Sequence, residues 1–252
     1  MAKYGPASAW LIIGGKDVTG DHFTLTGGEE QTVEQTNALG DSWQEGLPVG
    51  VAKYTLEADG GLYDDRTAGM LDALQVEGLT PSSLPQSVAF GLAGNAAGAG
   101  AVLLYGTYIG AFVRVASREG LTKAHATHVI TGTRLVGVLL HAALAAETAA
   151  SGDTTGASSV DNGASSAGGL TADLHVSDLT LGGYTNVTVK VKHSVDDVTY
   201  TDLITTFANI TVPGAQRVTV AGTVNRHLAV SWAFNGAGSG QSITFAVAAS
   251  RG

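Results

Sequence analysis

The chain has 252 residues, 44% hydrophobic and 14% charged, enough apolar side chains to bury one large core or two small ones and too many for a disordered polymer. Its 13 basic and 22 acidic residues give a formal charge of −9, which excludes a general electrostatic grip on a phosphate backbone. Without cysteine, disulfide staples and Cys-based zinc sites are excluded, so stability has to come from burial and assembly. Gly occurs 35 times with few prolines and no three-residue period, which reads as many turns between strands.

Near the N-terminus the apolar run Ala9 to Ile13 is too short for a signal sequence, and no run approaches the ~20 apolar residues of a membrane span. Strands are predicted at Trp10 to Ile13, Asp21 to Thr26, Gln31 to Thr36, Val51 to Ala58, Ser87 to Leu92, Ala101 to Tyr105, Ile109 to Ala116 and His128 to Leu140. The polar loop Gly27 to Gly50, carrying Trp43, is long for a compact domain and reads either as a docking loop or as an exposed hairpin. One helix is predicted: Asp64 or Asp65 can cap a segment whose Met70, Leu71 and Leu74 share a face, and Gly78 stops it. Val136 to Ala150 has the Leu and Ala of a helix, but Val136-Gly137-Val138 favours a strand running onward.

Ser151 to Gly169 contains no large aliphatic or aromatic residue apart from Val160 and reads as a linker or long surface loop. It divides residues 1–150 from residues 170–252, both plausible domain sizes. In the second region, apolar residues alternate in short runs at Ala172 to Val176, Val187 to Lys192, Val198 to Thr206, Arg217 to Ala221, His227 to Phe234 and Ser242 to Ala248. Turn residues separate them at Gly182-Gly183, Asp196-Asp197, Pro213-Gly214, Asn225 and Asn235-Gly236. Val187, Val189 and Val191 share one face of their strand while Thr188, Lys190 and Lys192 share the other. The expected fold is therefore all-β and mainly antiparallel: a β-sandwich or barrel with one short helix, then a C-terminal β-sandwich or jelly roll.

No constellation of catalytic or metal-binding residues emerges, so no catalytic, cofactor-binding or metal residue is assigned and no enzyme activity is expected. His125 and His128 lie three apart on an expected strand and point to opposite faces. His141, His175, His193 and His227 stand alone in or beside strands. The pairs Glu29-Glu30, Asp64-Asp65 and Asp196-Asp197 are adjacent, so on an extended chain they face opposite ways and cannot share acid–base work. Asp178, Asp196, Asp197 and Asp202 are candidates for an adventitious cation site. Gly94 to Gly100 is glycine-rich, but no long helix follows it as a phosphate loop requires. Asn186 and Asn209 begin Asn-x-Thr triplets that read as ordinary strand positions.

Two sets of residues carry a resemblance. The first is His193-Ser194-x-Asp196-Asp197-x-Thr199-Tyr200-x-Asp202-Leu203 with Gln216-Arg217-Val218 and Thr223-Val224-Asn225-Arg226-His227-Leu228. It resembles a module recurring in virion proteins of tailed bacteriophages. The second is Gly40-Asp41-x-Trp43-x-Glu45, Pro48-x-Gly50 and Gly60-Gly61 to Asp65, which is similar to the major tail (tail tube) protein of long-tailed phages. The resemblance implies a self-assembling structural protein of the virion tail, made in the bacterial cytoplasm, whose copies form stacked, usually hexameric rings. Other tail proteins are implied as partners, and DNA would pass through the lumen without specific binding. On that reading residues 1–150 build the tube and the C-terminal sandwich is displayed outside it. The alternatives are a carbohydrate- or cell-surface-binding module, with Tyr184, Tyr200, Trp232 and Phe234 as an aromatic platform, or a capsid decoration protein. Trp232 and Phe234 share a strand face and read more readily as core.

Overall fold

The computed structural model describes residues 9–21, 24–30, 33–35, 46–48, 53–62, 86–92, 94–115, 123–130, 132, 134–204 and 207–252. Its strands are β1 (Trp10–Ile13), β2 (Lys16–Asp17), β3 (Thr24–Glu30), β4 (Val33–Gln35), β5 (Gly46–Pro48), β6 (Lys53–Leu62), β7 (Gln86–Gly91), β8 (Gly100–Val115) and β9 (Lys123–Ile130). They continue with β10 (Arg134–Glu147), β11 (Ser151–Asp153), β12 (Val160–Asp161), β13 (Leu170–Thr180), β14 (Asn186–Ser194), β15 (Thr201–Ile204), β16 (Gly214–Val220), β17 (His227–Asn235) and β18 (Ser242–Arg251). Every ladder between these strands is antiparallel, and short 3-10 turns are the sole helical elements among the described residues. The all-β expectation holds. The helix expected from Asp64 or Asp65 to Gly78, and Trp43, lie outside the described residues.

An eleven-stranded sheet runs β16-β13-β18-β10-β8-β7-β1-β2, with an arm leaving β8 through β9 and β6 to β3. β8 makes both branches possible because it is 16 residues long: its first half pairs with β7 and β10, its second half with β9. The expected strands Ala101 to Tyr105 and Ile109 to Ala116 are thus one strand that exchanges neighbours near Gly106. Conversely, His128 to Leu140 divides into the end of β9 and the start of β10. β9 and β10 follow one another in the same direction along β8, both antiparallel to it. The loop Gly27 to Gly50 contains the end of β3 and the small β4–β5 hairpin.

A five-stranded sheet, β11-β17-β14-β15 with β12 also on β17, packs against the β10, β13, β16 and β18 end of the large sheet. Between them Leu170, Leu174 and Val176 from β13 and Phe245 and Val247 from β18 meet Val187, Val189 and Val191 from β14 and Val230, Trp232 and Phe234 from β17. Phe207 and Ile210 close this core from the loop before β16. The alternation read from Val187 to Lys192 is realised: the valines are buried and Thr188, Lys190 and Lys192 half-buried on the outside. Residues 151–169, expected as a linker or surface loop, carry β11, a 3-10 turn (Gly156–Ser158) and β12, and both strands are hydrogen-bonded to β17. β10, the strand before this segment, pairs with β18, which also pairs with β13, so strands from both sides of the segment belong to one sheet.

The other face of the large sheet is also covered. Trp10, Ile12, Ala89, Ala101, Leu103, Leu139, Ala143, Ala246 and Ala248 form a second core. Leu11, Ile13, Val88, Phe90 and Leu104 pack with Leu56, Ala126 and Ile130 of the arm in a third. The sheet curls until its ends approach each other: a Cβ placed on Gly15, between β1 and β2, would fall 2.6 Å from the backbone of Gly214 at the start of β16.

Candidate functional site

At this seam the alternation of β13 turns Asp173 and His175 away from the sandwich core to which Ala172, Leu174 and Val176 belong. Asp173 is fully buried and receives two hydrogen bonds of 2.6 Å from Nε and Nη2 of Arg217 on β16. The Ser87 hydroxyl of β7 donates to the same carboxylate at 3.4 Å, and the guanidinium lies 4.8 Å from the Tyr105 ring centroid of β8. His175 is buried with no hydrogen-bond partner on either ring nitrogen. Burial pushes its pKa down to about 4, with Asp173 opposing the shift and Arg217 adding to it. The cluster is a structural clasp that ties β7 and β8 to β13 and β16.

The other sequence candidates are dispersed. His125 contacts the Thr127 hydroxyl at 3.3 Å, while His128 is fully buried. His141 stacks on Phe245 with ring centroids 4.0 Å apart. Its nitrogens approach the Ala142 carbonyl oxygen at 3.0 Å and Glu147 Oε1 at 3.2 Å. His193 accepts the Asn225 amide N–H at 3.2 Å, and burial lowers its pKa. Among the described residues no group of three or more His, Asp or Glu side chains is placed to hold a metal.

The β14–β15 turn accounts for the Asp196-Asp197 pair. Asp196 accepts the amide N–H groups of Thr199 and Val198 and the Ser194 hydroxyl, which hold its pKa at about 2. Asp197 adopts φ +61°; hydroxyls of Ser159, at 2.6 Å, and Tyr200 donate to it and lower its pKa. His227 Nδ1 stands 3.6 Å away. Asp178 lies on β13 in the large sheet, while Asp202 of β15 pairs with Lys190 at 2.8 Å, so the four carboxylates do not form one site. Gly94 to Gly100 is a docking loop: Trp10 Nε1 donates to the Gly94 carbonyl at 3.0 Å, and backbone bonds tie Asn95, Gly98 and Ala99 to β10. Asn186 accepts from Asn235 Nδ2 at 2.7 Å within the sheet.

No aromatic platform is assembled. Trp232 and Phe234 belong to the sandwich core, Tyr184 packs at 5.5 Å on Phe234, and Tyr200 is engaged by Asp197. Among the described residues, two accessible features stand out. One is the outer edge of β3, whose seven residues pair with β6 alone among the described strands. The other is a groove of about 620 Å³ on the outside of the five-stranded sheet, between β11, β14, β15 and β17.

No protein family and no curated relative matches the chain. Similar solved structures include the tail of an empty gene transfer agent particle refined with C6 symmetry (TM-score 0.40, 13% identity, 53% of this chain and 97% of that one). Another is the sheath–tube complex of an extracellular contractile injection system in its extended state (0.38, 7%, 54% and 92%). A third is the SPP1 Dit protein, described as a paradigm of hub adsorption apparatus in phages infecting Gram-positive bacteria (0.30, 11%, 94% and 98%). At these scores the likenesses assign no family and no function.

The clasp and the groove escaped sequence reasoning for different reasons. Asp173 and His175 did leave a signal, since a carboxylate and an imidazole sharing one face of an otherwise apolar strand demand a buried partner. Nothing in the sequence designates Arg217, 44 positions away, as that partner. The groove has no motif; it exists because Lys190, Lys192 and Ser231 come together across a ladder.

Proposed function

We propose that the chain is a non-enzymatic structural subunit of a phage-type virion tail, and specifically a tube subunit that assembles with its own copies into stacked rings. The observation that carries this reading is the arm β8-β9-β6-β3, which ends in a seven-residue strand that pairs with β6 alone among the described strands. Unpaired backbone donors and acceptors along such an edge are a template for another strand, and proteins cover or blunt edges they do not use. A repeated contact between two different surfaces of each copy closes a ring, and extension of the ladder through β3 is one such contact. The resemblance of Gly40 to Asp65 to major tail proteins, and of His193 to Leu228 to a module of tailed-phage virion proteins, supports the same reading. So does the charge of −9, because an acidic wall offers DNA no sticking points. Sixfold rings and passage of DNA through the lumen belong to this proposal.

Negative-stain electron microscopy of the purified chain, alone and with the other proteins of its tail, tests it. Rings or tubes of uniform diameter are expected. A chain that stays monomeric by sedimentation velocity at high concentration with those partners present overturns the reading, and binding to heads without tube formation replaces it with capsid decoration.

A further inference from the structure

We propose that the groove on the outside of the five-stranded sheet binds an anionic, polyhydroxylated chain, a saccharide or polyol polymer carrying carboxylate or phosphate groups. The inference is independent of the assembly proposed above and stands if the chain forms no tube.

Four of the five Lys and Arg residues of the C-terminal region are committed within the fold. Arg217 is bound to Asp173, Arg226 makes a bidentate pair with Asp161 at 2.6 and 2.5 Å, and Arg251 donates to the carbonyls of Ala164, Val224 and Asn225. Lys190 is held by Asp202 at 2.8 Å. Lys192, two residues along the same face of β14, makes no hydrogen bond or ion pair in the structure, and both lysines line the groove. Its ammonium group acts on Asp153 only at a distance, contributing the smallest of the causes that lower that carboxyl's pKa. Three ammonium N–H donors thus face the groove uncommitted.

The rest of the groove fits the same class of ligand. Ser151 on β11 and Ser231 on β17 bring hydroxyls to its lining. Thr188 is fixed by its bond to the Ala233 carbonyl at 3.3 Å. Acceptors come from Asp153 and Asp202 at the flanks. Asp153 is already tied to the Thr155 hydroxyl and amide at 2.5 and 3.0 Å, and Asp202 to Lys190. Asp202 is neutralised by Lys190 and Asp153 is tied to Thr155, so the Lys192 ammonium is the cation in the lining without a direct partner, which selects a ligand with acceptor oxygens and at least one negative charge. The lack of an exposed aromatic ring argues against recognition by stacking on a sugar face.

The test is titration of the full-length protein with a galacturonate trimer, a glycerol phosphate oligomer and neutral maltotriose, followed by calorimetry at low and high salt. Saturable binding of at least one anionic probe, weakened by salt and not shown by maltotriose, is expected; which probe binds identifies carboxylate or phosphate as the recognised group. Loss of one charge-assisted contact in Lys192→Gln should weaken binding about tenfold, and Lys192→Arg should restore most of it. The proposal is overturned if neither anionic probe binds, if maltotriose binds equally well, or if Lys192→Gln binds like the parent while remaining folded by circular dichroism.

Discussion

Acid unfolding should begin at His175. The folded-state pKa, about 4, lies below the ordinary 6.5, so the fold favours the neutral ring. Stability from this group is complete above pH 6.5 and is lost as pH falls from 6.5 towards 4, because the unfolded chain takes up a proton that the fold refuses. The full loss is on the order of 3 kcal/mol. Urea unfolding at pH 7, 5.5 and 4.5 should show this decline in the parent and a much flatter profile in His175→Leu; equal slopes would remove His175 as the cause. Asp196 operates in a different window: its pKa of about 2 lies below the ordinary 3.8, so its contribution is present above pH 3.8 and disappears only as pH falls towards 2. The neighbouring Asp173–Arg217 pair should behave as a buried unit. Asp173→Asn alone leaves a guanidinium that is 10% exposed without its carboxylate and should cost about 3–5 kcal/mol, whereas Asp173→Leu with Arg217→Met should cost much less. A thermal-melt double-mutant cycle checks this.

At the scale of elements, β18 shows what periodicity reveals and what it hides. Ser242 to Ala248 is legible as a strand, but alternation normally signals one wet face, and β18 has none in its centre. Phe245 and Val247 enter the sandwich core, while Ala246 and Ala248 enter the core inside the curl. Their small size is the clue, because Trp10, Ile12, Leu103 and Leu139 share that core and leave small side chains to β18. Ala248→Leu should therefore overpack that core and cost about 1–3 kcal/mol, read as a lowered urea midpoint at unchanged slope. β14 lies at the other extreme: its valines and lysines were assigned to faces correctly because one face of the strand is solvated. β8 and β10 were misdivided for a third reason. Strand signals are local, whereas the exchange of partners near Gly106 and the register shifts between Leu139 and Ala145 are dictated by tertiary pairing. The groove was illegible for the same reason.

For the whole molecule, the distribution of polar edges determines what it can assemble into. The end of the large sheet at β16 is drawn towards β1, β2 and β7 by the clasp and by the Gly15–Gly214 approach, so growth from that end is obstructed. The five-stranded sheet ends in β15, a strand of four residues, too short to template a long ladder. Among the described strands β3 is a seven-residue edge that pairs with β6 alone, and Thr26, Gly27 and Gly28 within it are exposed. A lysine at an exposed edge position opposes strand addition at little cost to the folded subunit. Thr26→Lys should therefore keep the parental melting temperature and abolish rings or tubes in micrographs and fast-sedimenting species in sedimentation velocity. Val198→Lys, at a turn position that is 81% exposed and far from this edge in the pairing order, adds the same charge and should assemble like the parent. If Thr26→Lys assembled normally, the contact between copies would have to lie elsewhere than β3; if both variants failed, net charge would be the controlling variable and not the edge.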